Sequence, residues 1–343
     1  MHPFSYERAT SIDQAVQAAS EGACFIAGGT NLLDLMKENV ARPQRLVDIN
    51  HLGLDTLEPL PNGGLRIGAL MRNADLAAHP EIKARYPLLA DALMAGASPQ
   101  LRNMATTGGN LMQRTRCYYF YDTATPCNKR EPGTGCTAIG GATRIHAVLG
   151  ASEHCIAVHP SDMCVALAAL DATVNVIGPD GSRSIPFLEF HRLPGDAPQH
   201  DNTLRNDELI LNVELPAQGF AAHYSYLKIR DRLSFAFALV SVAAAMNLNN
   251  AGRITEARIA LGGVAHKPWR LAQAEALLLG HSPGQRTFAQ VADVLLRDAS
   301  SQGDNRFKIE LAHRAIRRAL AQAAGRTPQS QVNKRVPSPR SNS

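Results

Sequence analysis

Two glycine-centred turns set the tightest limits on what this chain can fold into. The first, Ala27-Gly28-Gly29-Thr30-Asn31, follows the short apolar run Ala23 to Ala27 and precedes an apolar-periodic stretch from Leu32 to Met36. The second, Ala105-Thr106-Thr107-Gly108-Gly109-Asn110-Leu111, again sets paired glycines beside hydroxyl and amide side chains. A strand, a glycine turn and a helix-like segment in succession present free backbone N–H groups to an anion such as a phosphate. The G-x-G-x-x-G spacing of a Rossmann unit is missing, as is an acidic residue placed to hold a ribose. One Gly-Gly pair most often marks an ordinary turn. Two such pairs, each with Thr and Asn donors, are harder to read that way. A third polar stretch, His159-Pro160-Ser161-Asp162, opens a helix-like segment, and by itself it reads as an N-cap.

Between the second turn and this cap lie Cys117, Cys127, Cys136 and Cys155, with gaps of 10, 9 and 19 residues. Met1 to Ala9 has no basic segment followed by an apolar one, so a disulfide framework is the weaker explanation of these cysteines. Close C-x₂₋₄-C pairs, the usual mark of structural zinc, do not occur, and the common ferredoxin runs are missed too. Spacing alone leaves an iron–sulfur cluster, a zinc site and reduced bystanders all open. Gly133 and Gly135 let backbone N–H groups come close to a bound group, and Arg116, Lys129 and Arg130 can offset thiolate charge. Cys24, in an apolar strand, and Cys164, in an apolar helix, read as core residues.

The net charge of +5 invites a nucleic-acid reading. Four basic residues, Arg326, Lys334, Arg335 and Arg340, follow Gly325, and removing them leaves +1 for the body. The Ser-, Pro- and Gln-rich stretch 326–343 reads as a solvated, disordered tail, and no nucleic-acid partner is expected. The longest apolar run, near Phe235 to Met246, is too short to span a membrane. A helix is expected over Ile12 to Ala19, and strands at Leu46 to Ile49, Leu65 to Leu70, His146 to Leu149, Cys155 to Val158, Thr173 to Ile177 and Leu209 to Leu215. A boundary falls near Pro216 to Gly219. Beyond it, strands come first and helices last, the order of a smaller α+β domain.

In this order and spacing the motifs are specific. The chain resembles the FAD-binding (medium) subunit of the molybdenum hydroxylases, the xanthine dehydrogenase and aldehyde oxidoreductase group. The resemblance spans about residues 1–325 and adds two matches: Lys228, ahead of an apolar run read as a helix, and Ala260-Leu261-Gly262-Gly263-Val264. It implies an α+β protein. A vanillyl-alcohol-oxidase-type FAD-binding domain would occupy 1–218, in subdomains of about 1–55 and 56–218, with a Cys-rich insertion at about 112–155. A C-terminal flavoprotein domain would occupy 219–325. Ala27, Gly28, Gly29, Thr30, Asn31 and Leu32, with Thr106, Thr107, Gly109 and Asn110, would then hold the FAD diphosphate. Ser161 and Asp162 would face its ribityl and ribose region, and Lys228 would lie near the flavin. The insertion resembles the subset with an extra [4Fe–4S] cluster, the FAD subunits of periplasmic aldehyde oxidoreductase and 4-hydroxybenzoyl-CoA reductase, which makes Cys117, Cys127, Cys136 and Cys155 its ligands.

The resemblance thus implies an electron-transfer subunit with no catalytic residue of its own. It would work in a heterotrimer with a molybdenum-cofactor large subunit and a [2Fe–2S] small subunit, passing electrons through FAD to an external acceptor. The expected location is the periplasm, by co-export on a partner's signal, with the cytoplasm as the alternative. Three other readings remain open: the FAD subunit of a 4-hydroxybenzoyl-CoA reductase-type enzyme, a self-contained FAD oxidase, and a zinc-stabilised binding module. The oxidase would need its own substrate pocket and leaves the four cysteines unexplained.

Overall fold

The computed structural model describes residues 1–233 and 235–331. Three sheets organise it. At the N-terminus the strands Ser5–Arg8, Arg45–Asp48 and Cys24–Ile26 form a small parallel sheet, with Arg45–Asp48 in the middle. The helix Ile12–Ser20 is the crossover between two of them. Ser11 caps it by accepting from the Gln14 N–H, and Ala15, Val16 and Ala19 form its buried face.

The second sheet is antiparallel, in the order Leu57–Pro59, Leu65–Gly68, Leu209–Leu215, Thr173–Gly178, Gly181–Pro186. Its apolar face packs on the helices Pro87–Ala95 and Asp162–Ala169, and these elements share the largest core of the molecule. Three strands lacked a sequence signal: Ser5–Arg8, Leu57–Pro59 and Gly181–Pro186. All three are sheet edges with mostly exposed side chains, so no apolar alternation marks them.

The C-terminal sheet sets Val240–Leu248 between Tyr224–Ile229 and Ile254–Gly262, all antiparallel. The apolar run after Lys228 is therefore a central strand, not the expected helix. Ala243 and Ala245 face the core of the first domain, while Val242, Ala244 and Met246 face the long helix Phe307–Ala324 and its neighbours. A strand buried on both faces loses its polar alternation and reads as an unbroken apolar run.

Two further expectations change. His146 to Leu149 and Cys155 to Val158 are not strands. They are joined by a bond from Ala147 N–H to the Ile156 carbonyl (2.8 Å), while Val148 N–H turns to the Val264 carbonyl (2.9 Å). Of the tail, residues 332–343 lie outside the described residues. Residues 326–331 are not free chain: they run beside the edge strand Tyr224–Ile229. Lys228 N–H donates to Gln329 Oε1 (3.0 Å), and Gln331 Nε2 donates to the Tyr226 carbonyl (2.9 Å). An edge strand has unpaired backbone groups that such a segment can satisfy. No helix among the described residues is long and apolar enough to cross a membrane.

Candidate cofactor site

The two glycine turns face each other across one groove. The Ala27–Asn31 turn is pinned by Asn50 Nδ2, which donates to the Ala27 carbonyl (3.0 Å). Arg72 ties Asn50 to the Met104 carbonyl just ahead of the second turn. The turns approach so closely that a Cβ on Gly28 would sit 1.9 Å from Met104 O. Gly29 adopts φ +72°, a left-handed conformation that glycine reaches at little cost. Among the described residues, the N–H groups of Gly28, Gly29, Thr30 and Asn31 donate to no backbone carbonyl outside the helices and strands, so they can meet an acceptor in the groove.

The second turn is itself the start of a short helix, Thr107–Leu111. Thr106 Oγ1 caps it by accepting from Gly109 N–H (3.1 Å). The resemblance implies that Thr107 faces the cofactor; here its N–H and its hydroxyl both donate to the Met71 carbonyl (2.9 and 3.1 Å), and the residue is buried. Gly108, which the motif did not single out as a site residue, lines the groove instead.

The groove has two halves. The inner one is walled by Cys24, Ala27 to Leu32, Thr106, Gly108 and Gly109. Cys24 is thus half-buried on the groove wall rather than a core residue. The outer half runs past Asn110, Ser161, Asp162 and Lys228 to Phe235 and Phe237. Thr30, Asn31 and Gly109 line both halves, so the glycine turns stand between them. At that junction Asn31 Oδ1 accepts from Arg114 N–H (3.0 Å), and its buried Nδ2 donor has no partner among the described residues. A buried amide donor without an acceptor is costly, and an anion in the groove would satisfy it. Bare glycine surface, free N–H groups and an orphaned amide fit a diphosphate.

Ser161 caps the helix Asp162–Ala169 by accepting from Cys164 N–H (3.0 Å) and donates to Asn110 Oδ1 (2.6 Å). It therefore joins the second turn to the outer half. Both carboxylate oxygens of Asp162 are used: Oδ1 accepts from the Tyr226 hydroxyl (2.7 Å) and Oδ2 from Lys228 Nζ (2.7 Å). Lys228 Nζ also donates to the Ala95 carbonyl (3.0 Å). This buried triad joins the first domain to the C-terminal sheet beneath the outer groove. Burial pushes the Tyr226 hydroxyl far above its ordinary pKa, and the neighbouring Asp162 carboxylate adds to the effect.

The four insertion cysteines come from separate stretches of chain and line a single small cavity. Cys127 and Cys136 are bridge partners in a tight hairpin, closed by Asn128 N–H to the Gly135 carbonyl (2.7 Å) and Gly135 N–H to Asn128 Oδ1 (2.8 Å). Gly133 and Gly135, at φ +86° and +104°, make that hairpin possible. Gly135 N–H is spent on the hairpin and not on the cavity. Cys117, Cys127 and Cys155 are buried, and Cys136 is half-buried. Burial pushes the free Cys117 thiol up to about 12 and that of Cys155 up to about 11, so as thiolates both would need a cation beside them.

Of the three basic residues expected to offset that charge, only Lys129 borders the cavity. Arg130 is committed to the carbonyls of Tyr119, Phe120, Asp122 and Thr125. Arg116 reaches the Tyr121 hydroxyl and lies over the Phe237 ring, on the groove side. Two partners went unread in the sequence. His146 Nε2 stands 3.0 Å from Cys117 Sγ. Asp201 accepts from Lys129 Nζ (2.6 Å) and Arg114 Nε (2.7 Å). Burial opposes the charge on Asp201, yet Lys129 and Arg114 hold its carboxyl well below the usual range. Asn31, Arg114, Asp201 and Lys129 thus form one chain of contacts from the groove to the cysteine cavity. These pairs are separated by 72 to 87 residues, and no local pattern announces them.

Comparison with known proteins agrees with this layout. Residues 2–218 match the family described as the FAD binding domain in molybdopterin dehydrogenase. Residues 223–323 match the CO dehydrogenase flavoprotein C-terminal domain. The chain is 52% identical to the aldehyde oxidoreductase FAD-binding subunit PaoB of Escherichia coli, over 94% of this chain and 99% of that one. It is 27% identical to the glyceraldehyde dehydrogenase medium chain of Sulfolobus acidocaldarius, over 89% and 92%. A solved carbon monoxide dehydrogenase from Hydrogenophaga pseudoflava superposes with a TM-score of 0.74 at 26% identity, covering 95% of this chain and 98% of that one. With both domains matched along nearly the whole chain, the chain belongs to the FAD-binding medium subunits of the molybdenum hydroxylase family.

Proposed function

We propose that this chain is the electron-transfer subunit of a molybdenum-dependent aldehyde oxidoreductase and carries a [4Fe–4S] cluster besides FAD. One observation carries the cluster: four cysteines scattered over 39 residues converge on one cavity. Their spread favours a cluster over zinc. A single tetrahedral zinc with Zn–S bonds of about 2.3 Å needs sulfurs about 3.8 Å apart. Among the described residues no three of these Sγ atoms lie within 4.8 Å of one another. A four-iron cluster holds its thiolates farther apart, because the irons stand between them.

FAD, when bound, supplies the redox chemistry, exchanging electrons singly or in pairs. The protein's residues do the rest. The glycine turns and Asn31 would hold the diphosphate, and Ser161 with Asn110 joins the second turn to the outer groove. The Asp162–Lys228–Tyr226 triad would hold the outer groove in shape for the flavin end. Lys129, held by Asp201, places positive charge beside the thiolates and offsets theirs. The partners would be a molybdenum-cofactor large subunit and a [2Fe–2S] small subunit, with delivery to an external acceptor and co-export to the periplasm on a partner's signal.

The likeness to an aldehyde oxidoreductase subunit supports aldehyde as the substrate class of the complex. The test is to co-express the chain with its neighbouring subunits and assay aldehyde oxidation with an artificial acceptor. The complex should turn over and the isolated chain should not. Robust turnover by the isolated chain would favour a self-contained oxidase.

A further inference from the structure

A second group of ligand-type side chains meets in the interior and includes none of the four insertion cysteines. A ring nitrogen of His159, a ring nitrogen of His191 and Cys164 Sγ all lie within 4.8 Å of one another. The two imidazole rings stand 4.2 Å apart, centre to centre. All three residues are more than nine-tenths buried, at 8%, 2% and 0% exposure. Among the described residues, the buried Nε2 of His159 and Nδ1 of His191 have no hydrogen-bond partner.

The orientation of His191 is informative. Its Nε2 lies 2.9 Å from the Leu111 carbonyl, which can only accept, so Nε2 carries the proton. Nδ1 of the neutral ring is then a bare lone pair, buried and unpaired. Histidines that bind metals are commonly held this way, with the far nitrogen donating to a carbonyl and the near one free. Burial favours the neutral ring at both histidines.

We propose that His159, His191 and Cys164 form a binding site for one d¹⁰ metal ion, zinc(II) or copper(I). Two neutral imidazoles and one thiolate suit either ion. On binding, the sulfur–metal bond replaces the Cys164 S–H bond and its proton passes to solvent, with no change of oxidation state. Copper(I) would leave the buried centre neutral, whereas zinc(II) would leave it with one positive charge. His159 also borders the chamber next to the outer groove, which gives the ion a way in. The ion would tie the start of the helix Asp162–Ala169, which carries the groove residues Ser161 and Asp162, to the segment after Phe187–Phe190. The site shares no ligand with the insertion cysteines, so it stands or falls apart from the cluster.

The test uses the FAD-loaded protein from cells grown with added zinc or with added copper. Metal content is measured by mass spectrometry, and the ligands by X-ray absorption at the zinc and copper edges. The expected result is one zinc or copper per chain, with nitrogen and sulfur neighbours in a two-to-one ratio. Cys164→Ala and His191→Gln should each lose that metal while keeping FAD and iron. Retention of the metal by both variants would overturn the proposal, as would wild-type protein without stoichiometric zinc or copper. An edge spectrum with four sulfur neighbours would also overturn it, since it would put the metal on the insertion thiols. Where a variant fails to fold, the wild-type content and edge spectrum decide the matter.

Discussion

Asp162 Oδ2 and Lys228 Nζ stand 2.7 Å apart, with side-chain exposures of only 5% and 1%. One belongs to the helix that floors the groove and the other to the C-terminal sheet, so this pair couples the two domains. Removing one partner of such a pair strands the other charge in a dry interior. Lys228→Met should cost about 3–5 kcal/mol of stability. The double variant Asp162→Asn, Lys228→Met should recover much of that loss, because the stranded charge goes too. Denaturant melts of the three proteins check this. A Lys228→Met protein as stable as wild type would show that the pair is not holding the domains together.

Asn31 offers a cleaner probe of the groove. Asn31→Asp keeps the oxygen that accepts from Arg114 N–H but replaces the unpartnered Nδ2 with a second oxygen. FAD affinity should fall roughly ten- to hundredfold, the ~1.5–3 kcal/mol of a hydrogen bond to a charged group. Stability without FAD should change little. Flavin fluorescence titration measures the first and thermal melts the second. Unchanged FAD affinity would mean that Nδ2 does not meet the diphosphate.

Stability should depend on pH through Asp91, on the helix Pro87–Ala95. Burial pushes its carboxyl from 3.8 up to about 6. The folded chain therefore keeps a proton that the unfolded chain has already lost between those values. The stability this gives is present below about pH 4 and is lost as pH rises through 6. Asp91→Asn, neutral throughout, should match wild type near pH 4 and exceed it above pH 7, by about 1–3 kcal/mol after discounting partial exposure. Urea melts at both pH values would show the crossover. A constant difference between the two proteins would contradict it.

Part of the groove lining was legible because its determinants are local. Gly28-Gly29 and Gly108-Gly109 come from the two turns that line it, and at Gly28 a Cβ would collide with the Met104 carbonyl. Ser161 was legible as a cap, and it is one. The motif does not say which of two adjacent threonines lines the groove; a carbonyl 36 residues away, at Met71, takes both donors of Thr107. The strand Val240–Leu248 was misread because its two faces are buried by different partners. Asp201, Arg114 and His146 left no trace, since each acts on a residue distant in the chain. Of Arg116, Lys129 and Arg130 only Lys129 reaches the cysteines, a matter of side-chain direction that spacing does not encode.

The central claim is that four thiols hold an iron–sulfur cluster in a FAD-carrying chain. Iron, acid-labile sulfide, zinc and flavin measured together on protein purified without air test it most directly, with Cys127→Ser, Cys136→Ser and Cys24→Ser alongside. The expected result is one FAD and about four iron and four sulfide per chain, in line with four-thiolate ligation. Iron and sulfide should be lost in Cys127→Ser and Cys136→Ser and kept in Cys24→Ser. Wild-type protein with full flavin but zinc in place of iron, or with iron unaffected by either ligand change, would contradict the account.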